Sequence, residues 1–418
     1  MEAEVAVLDT DVLTEARGIL SRLTAQVPAS HEGFERQMFI GKLLMELTHE
    51  QRLSLRSIVD SWLHKTVELQ ASDIDVGSHG CENKIWFRVF GFKKPCLDLG
   101  SFSTDETDFL VQSLLMDSQR ESLYEWRNLD FSHSINHNGV PVRFRGDMYF
   151  DLNHLAMNMR RINDFIYPFK DLGFHPNIAK ALSLTHVKQG LILVTGITGS
   201  GKSTTLDSII DANNKTVDAH VVIIGSPIEN IHQSQRCLIR HREVGRDVMS
   251  FKEGAIQSLR QDPDIIVIGE MRDPDTILTS LEITDSGHKV FSTLHTGSAV
   301  ESIDRIIAEC PTAVQDRVRM RLADVLTVIV SQKLVPSSSG RLQLAKEVLL
   351  VNSSVRAAIK NNNTGEIYQM IFESQNEGMI TIEQDLYRLY RLKQVSKENA
   401  MNFANNKKRL AELLRREL

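Results

Sequence analysis

Gly196-Ile197-Thr198-Gly199-Ser200-Gly201-Lys202-Ser203 decides the fold of this chain. It follows the apolar run Leu191-Ile192-Leu193-Val194 and precedes Thr204-Thr205-Leu206-Asp207-Ser208-Ile209-Ile210, so it reads as strand, phosphate loop and helix. Gly196, Gly199 and Gly201 let successive backbone N–H groups converge on phosphate oxygens. Lys202 adds a cation at the β/γ-phosphates, and the Ser203 hydroxyl is placed to ligate Mg²⁺. With Thr198, Ser200 and Thr204 these residues form the candidate set for binding a nucleoside triphosphate. A helix beginning at Ser203 would also turn its positive dipole end toward the anion.

Outward from the loop, strand-like runs alternate with helical ones: Leu191 to Thr195, Val221 to Ile224, Ile265 to Ile268, Val290 to Thr293 and Thr327 to Ser331. That alternation predicts a parallel sheet covered on both faces. The stretch Asp262-Pro263-Asp264-Ile265-Ile266-Val267-Ile268-Gly269-Glu270 ends an apolar strand on an acid, the layout that positions Mg²⁺ or an attacking water. Glu270 is therefore a candidate for catalysis and, with Ser203, for metal binding. His288 and His295 bracket the run Lys289-Val290-Phe291-Ser292-Thr293-Leu294, one near each end; the residues alone fit either a phosphate sensor or an ordinary core histidine.

Toward the N-terminus, Phe39, Ile40, Leu43, Leu44 and Leu47, then Leu53, Leu55, Ile58, Val59 and Leu63, recur at helical spacing and predict two or three helices within 1–65. Residues 66–165 read as a small α+β domain. Ala71-Ser72-Asp73-Ile74-Asp75-Val76 and Lys84 to Phe90 alternate as strands. A helix runs from Thr104 to Met116 with Ser103 or Thr104 as its cap, and Phe131 to Ile135 and Val142 to Arg145 are further strands. The stretch 166–175, with Pro168 and Gly173, is the expected linker, 176–345 the core, and 346–418 a mostly helical C-terminal region. Its tail, Lys407-Lys408-Arg409-Leu410-Ala411-Glu412-Leu413-Leu414-Arg415-Arg416, is basic and amphipathic: a solvated surface helix, or one lying on a partner or on lipid.

Composition sets the outer bounds. The 418 residues suit two unequal domains, and the 42% hydrophobic and 24% charged content is that of a globular chain. No apolar run approaches the ~20 residues that cross a bilayer, and the acidic start Met1-Glu2-Ala3-Glu4 is unlike a signal peptide, so the expected location is cytoplasmic. Cys81, Cys96, Cys237 and Cys310 are widely spaced, which excludes a C-x-x-C zinc module and predicts free thiols. A net charge of −6 without a basic, aromatic-rich groove argues against nucleic acid as a partner.

Three stretches together, Gly196 to Leu206, Asp262 to Asp273 and Gly287 to Thr296, resemble the type II/IV secretion ATPase superfamily. Similarity is greatest to the PilT-type retraction ATPases of type IV pili and spans about 68–400, including Arg143-Phe144-Arg145 and Gly378 to Leu386. The resemblance implies a PAS-like N-terminal α+β domain, a RecA-like P-loop core with a helical extension, and a homohexamer binding ATP and Mg²⁺ between subunits. It further implies an inner-membrane platform protein as partner, so that the subunit lies peripheral to that membrane. Glu270 then corresponds to the Walker B acid, His288 and His295 to the His box, and Arg143, Arg145 and Arg160 to arginines donated toward nucleotide.

Three departures stand out. Where relatives carry Glu-Asp-Pro-Ile-Glu, this chain has Gly225-Ser226-Pro227-Ile228-Glu229; both leading acids are missing, which predicts slow hydrolysis unless Glu270, Glu229 or a neighbour compensates. Asn153 stands at an expected arginine, and Ser354 to Asn361 replaces the motif associated with retraction. The expected function is a pilus retraction motor; the alternatives are a secretion or conjugation ATPase, or an accessory subunit that binds nucleotide but hydrolyses weakly.

Overall fold

The computed structural model describes residues 10–162 and 165–415. They divide between 163 and 164 into two compact units, and the fold class is the expected one, an antiparallel α+β unit followed by a parallel-rich α/β unit.

The first unit begins with helices Thr10–Thr24, Gly33–Glu46 and His49–Glu68. The third starts on a capping box: Gln51 N–H donates to Thr48 Oγ1 at 3.3 Å while Gln51 Oε1 accepts from Thr48 N at 3.1 Å. Strands β1 Asp73–Gly77, β2 Ile85–Val89, β3 Phe92–Cys96, β4 Asn128–His137, β5 Val140–Asp151 and β6 His154–Arg161 form an antiparallel sheet in the order β3-β2-β1-β6-β5-β4. The sequence reading found β1, β2, the centre of β4 and the first half of β5, and left β3 and β6 unassigned. Leu20, Ile40, Leu44, Ile58, Trp62 and Leu63 lie in one core with Ile74, Phe87, Phe144 and Met157 of the sheet. The 65/66 boundary drawn from sequence falls inside the third helix, because the apolar faces of all three helices close this sheet. Leu53, expected on that face, is half exposed.

A buried polar hub ties the second helix down. Gln37 Nε2 donates to Asp108 Oδ2 at 2.6 Å, Gln112 Nε2 donates to Gln37 Oε1 at 2.8 Å, and Asp108 Oδ1 accepts from Leu155 N at 2.8 Å. The helix carrying Asp108 and Gln112, Thr104–Ser113, is capped by Ser103 as expected.

The second unit holds β7 Gly190–Thr195, β8 Ala219–Gly225, β9 Cys237–Glu243, β10 Ile265–Ile268, β11 Lys289–Leu294, β12 Leu326–Pro336 and β13 Leu342–Leu350. Their order is β13-β12-β7-β11-β10-β8-β9, with every pairing parallel except β12 with β13. All six positions of β7 and of β11 are buried, as a sheet covered on both faces requires. Within the stretch expected to be linker, Phe169 and Phe174 pack against the core of this unit. Where a mostly helical run was expected from Ala345, the chain first completes β13.

Past β13 the chain is helical, and its basic tail is committed. In helix Lys407–Arg415, Leu410 is fully buried beside Ile382, Leu386, Leu389 and Val395, and the Arg409 guanidinium lies 4.0 Å from the centre of the Phe372 ring. Part of the apolar side of the tail therefore packs on its own unit, with Leu414 partly buried against the same cluster. All four cysteines are free thiols. No helix among the described residues is long and apolar enough to cross a membrane.

Candidate functional site

In a parallel sheet, ligands meet the loops that leave the C-terminal ends of the strands. Four expected groups gather there: the phosphate loop after β7, Glu229 after β8, Glu270 after β10 and His295 after β11.

The loop closes on Gly201, whose φ of +85° forms the cap of helix Lys202–Thr216. Ser203 and Thr204 lie in the first turn of that helix. Gly196 is required by close approach as well as by its φ of +150°: a Cβ there would meet Ser200 Oγ at 2.4 Å and the Gln332 carbonyl at 2.5 Å. Behind the loop, Gln332 of β12 donates through Nε2 to the Ser200 carbonyl at 2.7 Å, and the Thr195 and Ser331 hydroxyls share a hydrogen bond of 2.7 Å.

Lys202 is almost wholly buried and donates to the carbonyls of Gly196 at 2.9 Å and Ile197 at 3.1 Å. Burial lowers its pKa, while the charges of Glu270 and Glu229 act in the opposite sense. Glu270 Oε2 lies 2.6 Å from Arg272 Nε and 3.7 Å from His295 Nε2. His295 Nδ1 stands 3.4 Å from Thr198 Oγ1 in the loop. Its pKa is lowered, by burial first and then by the charge of Lys202, so a neutral ring is favoured. A cleft of about 210 Å³ opens between Glu270, Arg272, Thr293, His295 and Arg305.

The segment after His295 is anchored on several sides. Arg305 Nη1 donates to the His295 carbonyl at 3.0 Å, Glu301 Oε2 accepts from Gly297 N at 2.7 Å, and Asn405 Nδ2 reaches the Gly297 carbonyl at 3.2 Å. Glu347 of β13 accepts from Ala299 N at 2.8 Å; fully buried, its carboxyl is pushed up to about 7.

The remaining expected site residues are His288 and three arginines of the first unit. His288 sits at the opposite end of β11, roughly 20 Å along the strand from His295. There its Nδ1 is 3.2 Å from the Ile283 carbonyl and 3.1 Å from Ser286 Oγ. Arg143, Arg145 and Arg160 belong to β5 and β6 of the first unit, with Arg145 directly opposite Arg160 in the sheet. Arg145 Nη2 approaches Asp130 Oδ1 at 3.3 Å, and Arg160 Nε pairs with Asp73 Oδ1 at 2.8 Å. Burial alone would raise Asp73, but the Ser72 hydroxyl and the Arg160 and Arg88 guanidinium groups outweigh it and hold its carboxyl below the usual range. Asn153 occupies the β5–β6 turn with a φ of +72°.

The departure after β8 is also visible. Gly225 pairs with Glu243 at the ends of β8 and β9, and the buried Glu243 accepts from Ile228 N at 3.2 Å. A Cβ at 225 would come within 2.7 Å of Ile228 Cδ1, the movable end of a side chain. Sequence reading missed Gln332, Arg272 and Arg305 as site residues. Arg272 lay inside the quoted stretch two residues after Glu270, whereas Gln332 carries no local signal and enters only through strand pairing.

The donor set fits a nucleoside triphosphate with Mg²⁺: a cation at Lys202, hydroxyls at Ser203 and Thr204, a carboxylate at Glu270, and a close-packed backbone cradle at 196–201. Ser200 Oγ is moreover buried in that cradle with no hydrogen-bond partner.

The profile of the family described as Type II/IV secretion system protein matches residues 48–415. This chain belongs to the type II/IV secretion system protein family. Among its relatives in the family, a twitching motility protein of Neisseria gonorrhoeae is 35% identical over 311 residues, covering 74% of this chain and 82% of that one. The type IV pilus retraction ATPase PilT of Pseudomonas aeruginosa is 36% identical over 291 residues, covering 70% and 83%. The crystal structure of the pilus retraction motor PilT with bound ADP superposes with a TM-score of 0.74 at 35% identity, over 84% of this chain and 98% of that one.

Proposed function

We propose that this chain is the Mg²⁺-dependent ATP-hydrolysing subunit of a hexameric type IV pilus retraction motor, working on a platform protein at the inner membrane. The observation that carries the reading is the convergence of the phosphate loop, Glu270, Glu229 and His295 at one edge of the sheet, in a chain that spans most of PilT.

In this mechanism Lys202 exchanges its two loop carbonyls for phosphate oxygens, and the N–H groups of 199–203 hold the rest of the phosphate chain. Ser203 and Glu270 would hold the Mg²⁺, which supplies charge neutralisation at the β- and γ-phosphates. Glu229 is the base for the attacking water, and His295, neutral and already against Thr198 and Glu270, registers the terminal phosphate. Arg143, Arg145 and Arg160 reach the nucleotide from the first unit of a neighbouring subunit. Force follows because a ligand that binds two subunit arrangements with different affinity shifts the equilibrium between them.

A second reading, a weakly hydrolysing accessory subunit, is favoured by Gly225-Ser226. Steady-state ATPase assays separate the two. A motor turns over Mg-ATP, Lys202→Ala abolishes turnover, and Gly225→Glu/Ser226→Asp raises it by about tenfold. Wild-type turnover at the background level of Lys202→Ala, recovered only in the double variant, establishes the accessory reading. Failure of the wild type to bind nucleotide sinks both, and normal pilus retraction after deletion of the gene sinks the retraction assignment.

A further inference from the structure

Between β8 and β9 the chain runs through 226–236 without helix or strand, and Glu229 lies in that run. Such a segment has no ladder of its own, so its path is set by whatever its polar groups reach. Here they reach the helix that begins at the phosphate loop. Asp207 Oδ2 accepts from the side-chain amide of Asn230, and Asp207 Oδ1 lies 3.0 Å from His232 Nε2. A carboxylate only accepts, so Nε2 carries the ring proton. Further along the helix, Asn214 Nδ2 donates to the Gln233 carbonyl at 2.8 Å, and Asn214 Oδ1 accepts from Gln235 N at 3.0 Å. Asn214 lies two turns on from Asp207, on the same side of helix Lys202–Thr216.

The nearer of these two attachments is built around Asp207. The His232 ring is buried, and its Nδ1 has no hydrogen-bond partner among the described residues, so its polar contact there is with Asp207. His241 of β9 steadies it from the other side: the two rings are stacked, 10° apart in plane, and His241 Nε2 accepts from His232 N at 3.0 Å. Asp207 in turn stands one turn beyond Ser203 on the same helix face. The segment that carries Glu229 is therefore tied down one turn away from the hydroxyl assigned to Mg²⁺.

We propose that Asp207 is a positioning residue for ATP hydrolysis: through Asn230 and His232 it holds the segment bearing Glu229 against the phosphate-loop helix and so fixes the distance from Glu229 to the phosphates. The proposal rests on the reading of Glu229 as the base. A base must come within about 3 Å of the proton it takes, and a displacement of about 1 Å can cost about a hundredfold in rate. Gly225-Ser226 sharpens that demand, because the carboxylate that remains sits on a segment with no secondary structure to hold it.

Steady-state ATPase kinetics and ADP titration of the full chain test this. Asp207→Ala lowers kcat by about tenfold, while KM for ATP and the affinity for ADP stay within about twofold. His232→Leu, which keeps apolar bulk and removes the contact with Asp207, gives a similar fall and is the second measure should Asp207→Ala melt below the wild type. Asp207→Asn recovers most of the turnover: its oxygen still serves His232, and the Asn230 amide, turned over, offers its unpartnered Oδ1 to the new N–H groups. A charge acting directly on metal or nucleotide would make the Ala and Asn variants fall alike, and that result overturns the proposal. If Asp207 acts through Glu229, adding Asp207→Ala to Glu229→Gln costs nothing further; losses that multiply overturn it. So does loss of ADP binding in both Asp207→Ala and His232→Leu, which would make the contact structural. Unchanged kcat in Asp207→Ala with Glu229→Gln slowed overturns the proposal and leaves Glu229 as the base. Unchanged kcat in Glu229→Gln, or wild-type turnover no faster than that of Lys202→Ala, overturns the base assignment and the proposal with it.

Discussion

Glu270 shows how much one side chain is asked to do. A single oxygen lies within 2.6 Å of Arg272 and 3.7 Å of His295, and its charge reaches Lys202. Glu270→Gln keeps the shape and removes the charge. In the mechanism above it leaves ADP binding within a few fold while kcat falls by about a hundredfold; equal loss of binding and turnover would instead make Glu270 an anchor for the loop. Gly196 lies at the other extreme, since it acts by having no side chain: Gly196→Ala drives a methyl into Ser200 and the Gln332 carbonyl. The expected outcome is loss of nucleotide binding with the melting temperature of the remaining fold little changed.

At this scale the sequence was legible where chemistry is local. The loop, Glu270 and His295 were found because each sits within a few residues of a strand end. Gln332 was not found, because its place against Ser200 follows from the pairing of Ser331 with Thr195 across the sheet. His288 entered through the resemblance to the His box; the residues alone fit an ordinary core histidine equally, and it stands at the far end of β11 from His295.

Among the elements, β11 carries a buried cation. Lys289 is inaccessible to solvent, donates to the carbonyls of Ala181 at 2.8 Å and Val187 at 2.9 Å, and burial pushes its pKa down to about 7. The unfolded chain holds this proton up to an ordinary lysine pKa of about 10.4. Between those values the unfolded state binds more protons, so the burden is full below pH 7 and is relieved as pH rises toward 10. Wild-type stability therefore carries a component that climbs through this window, on the order of a few kcal/mol. Lys289→Met removes that component, which urea unfolding at pH 7 and pH 9.5 would detect; identical pH slopes in the two proteins would show that the amine is solvated after all.

In the first unit, Gln37→Leu leaves Asp108 and Gln112 short of partners and costs about 2 kcal/mol by the same measurement. The strands themselves were legible where they alternate or run apolar. β13 straddles the point from which a mostly helical region was expected; its Leu-Gln-Leu-Ala-Lys-Glu-Val-Leu-Leu is rich in helix formers, and nine paired residues on β12 override that preference.

Over the whole molecule, the buried clusters respect the division between 163 and 164. One lies wholly before it, and three lie wholly after it. Residues 165–418 expressed alone are expected to fold and bind ADP, as circular dichroism and nucleotide titration would report; an unfolded or aggregated product would show that the core depends on the first unit. Removing residues 10–68 has the opposite expectation, because Trp62, Leu63 and their neighbours close the first sheet. That deletion should yield insoluble protein, not a trimmed domain.

The contact between Asn405 and the Gly297 carbonyl joins positions more than a hundred residues apart, two residues beyond His295 at one end and close to the C-terminus at the other. Its consequence is genetic. A nonsense or frameshift lesion just before codon 405, easily dismissed as harmless because every nucleotide-binding motif is already translated, would remove one of the anchors of the segment that follows His295 and be inherited as a defect of the candidate site.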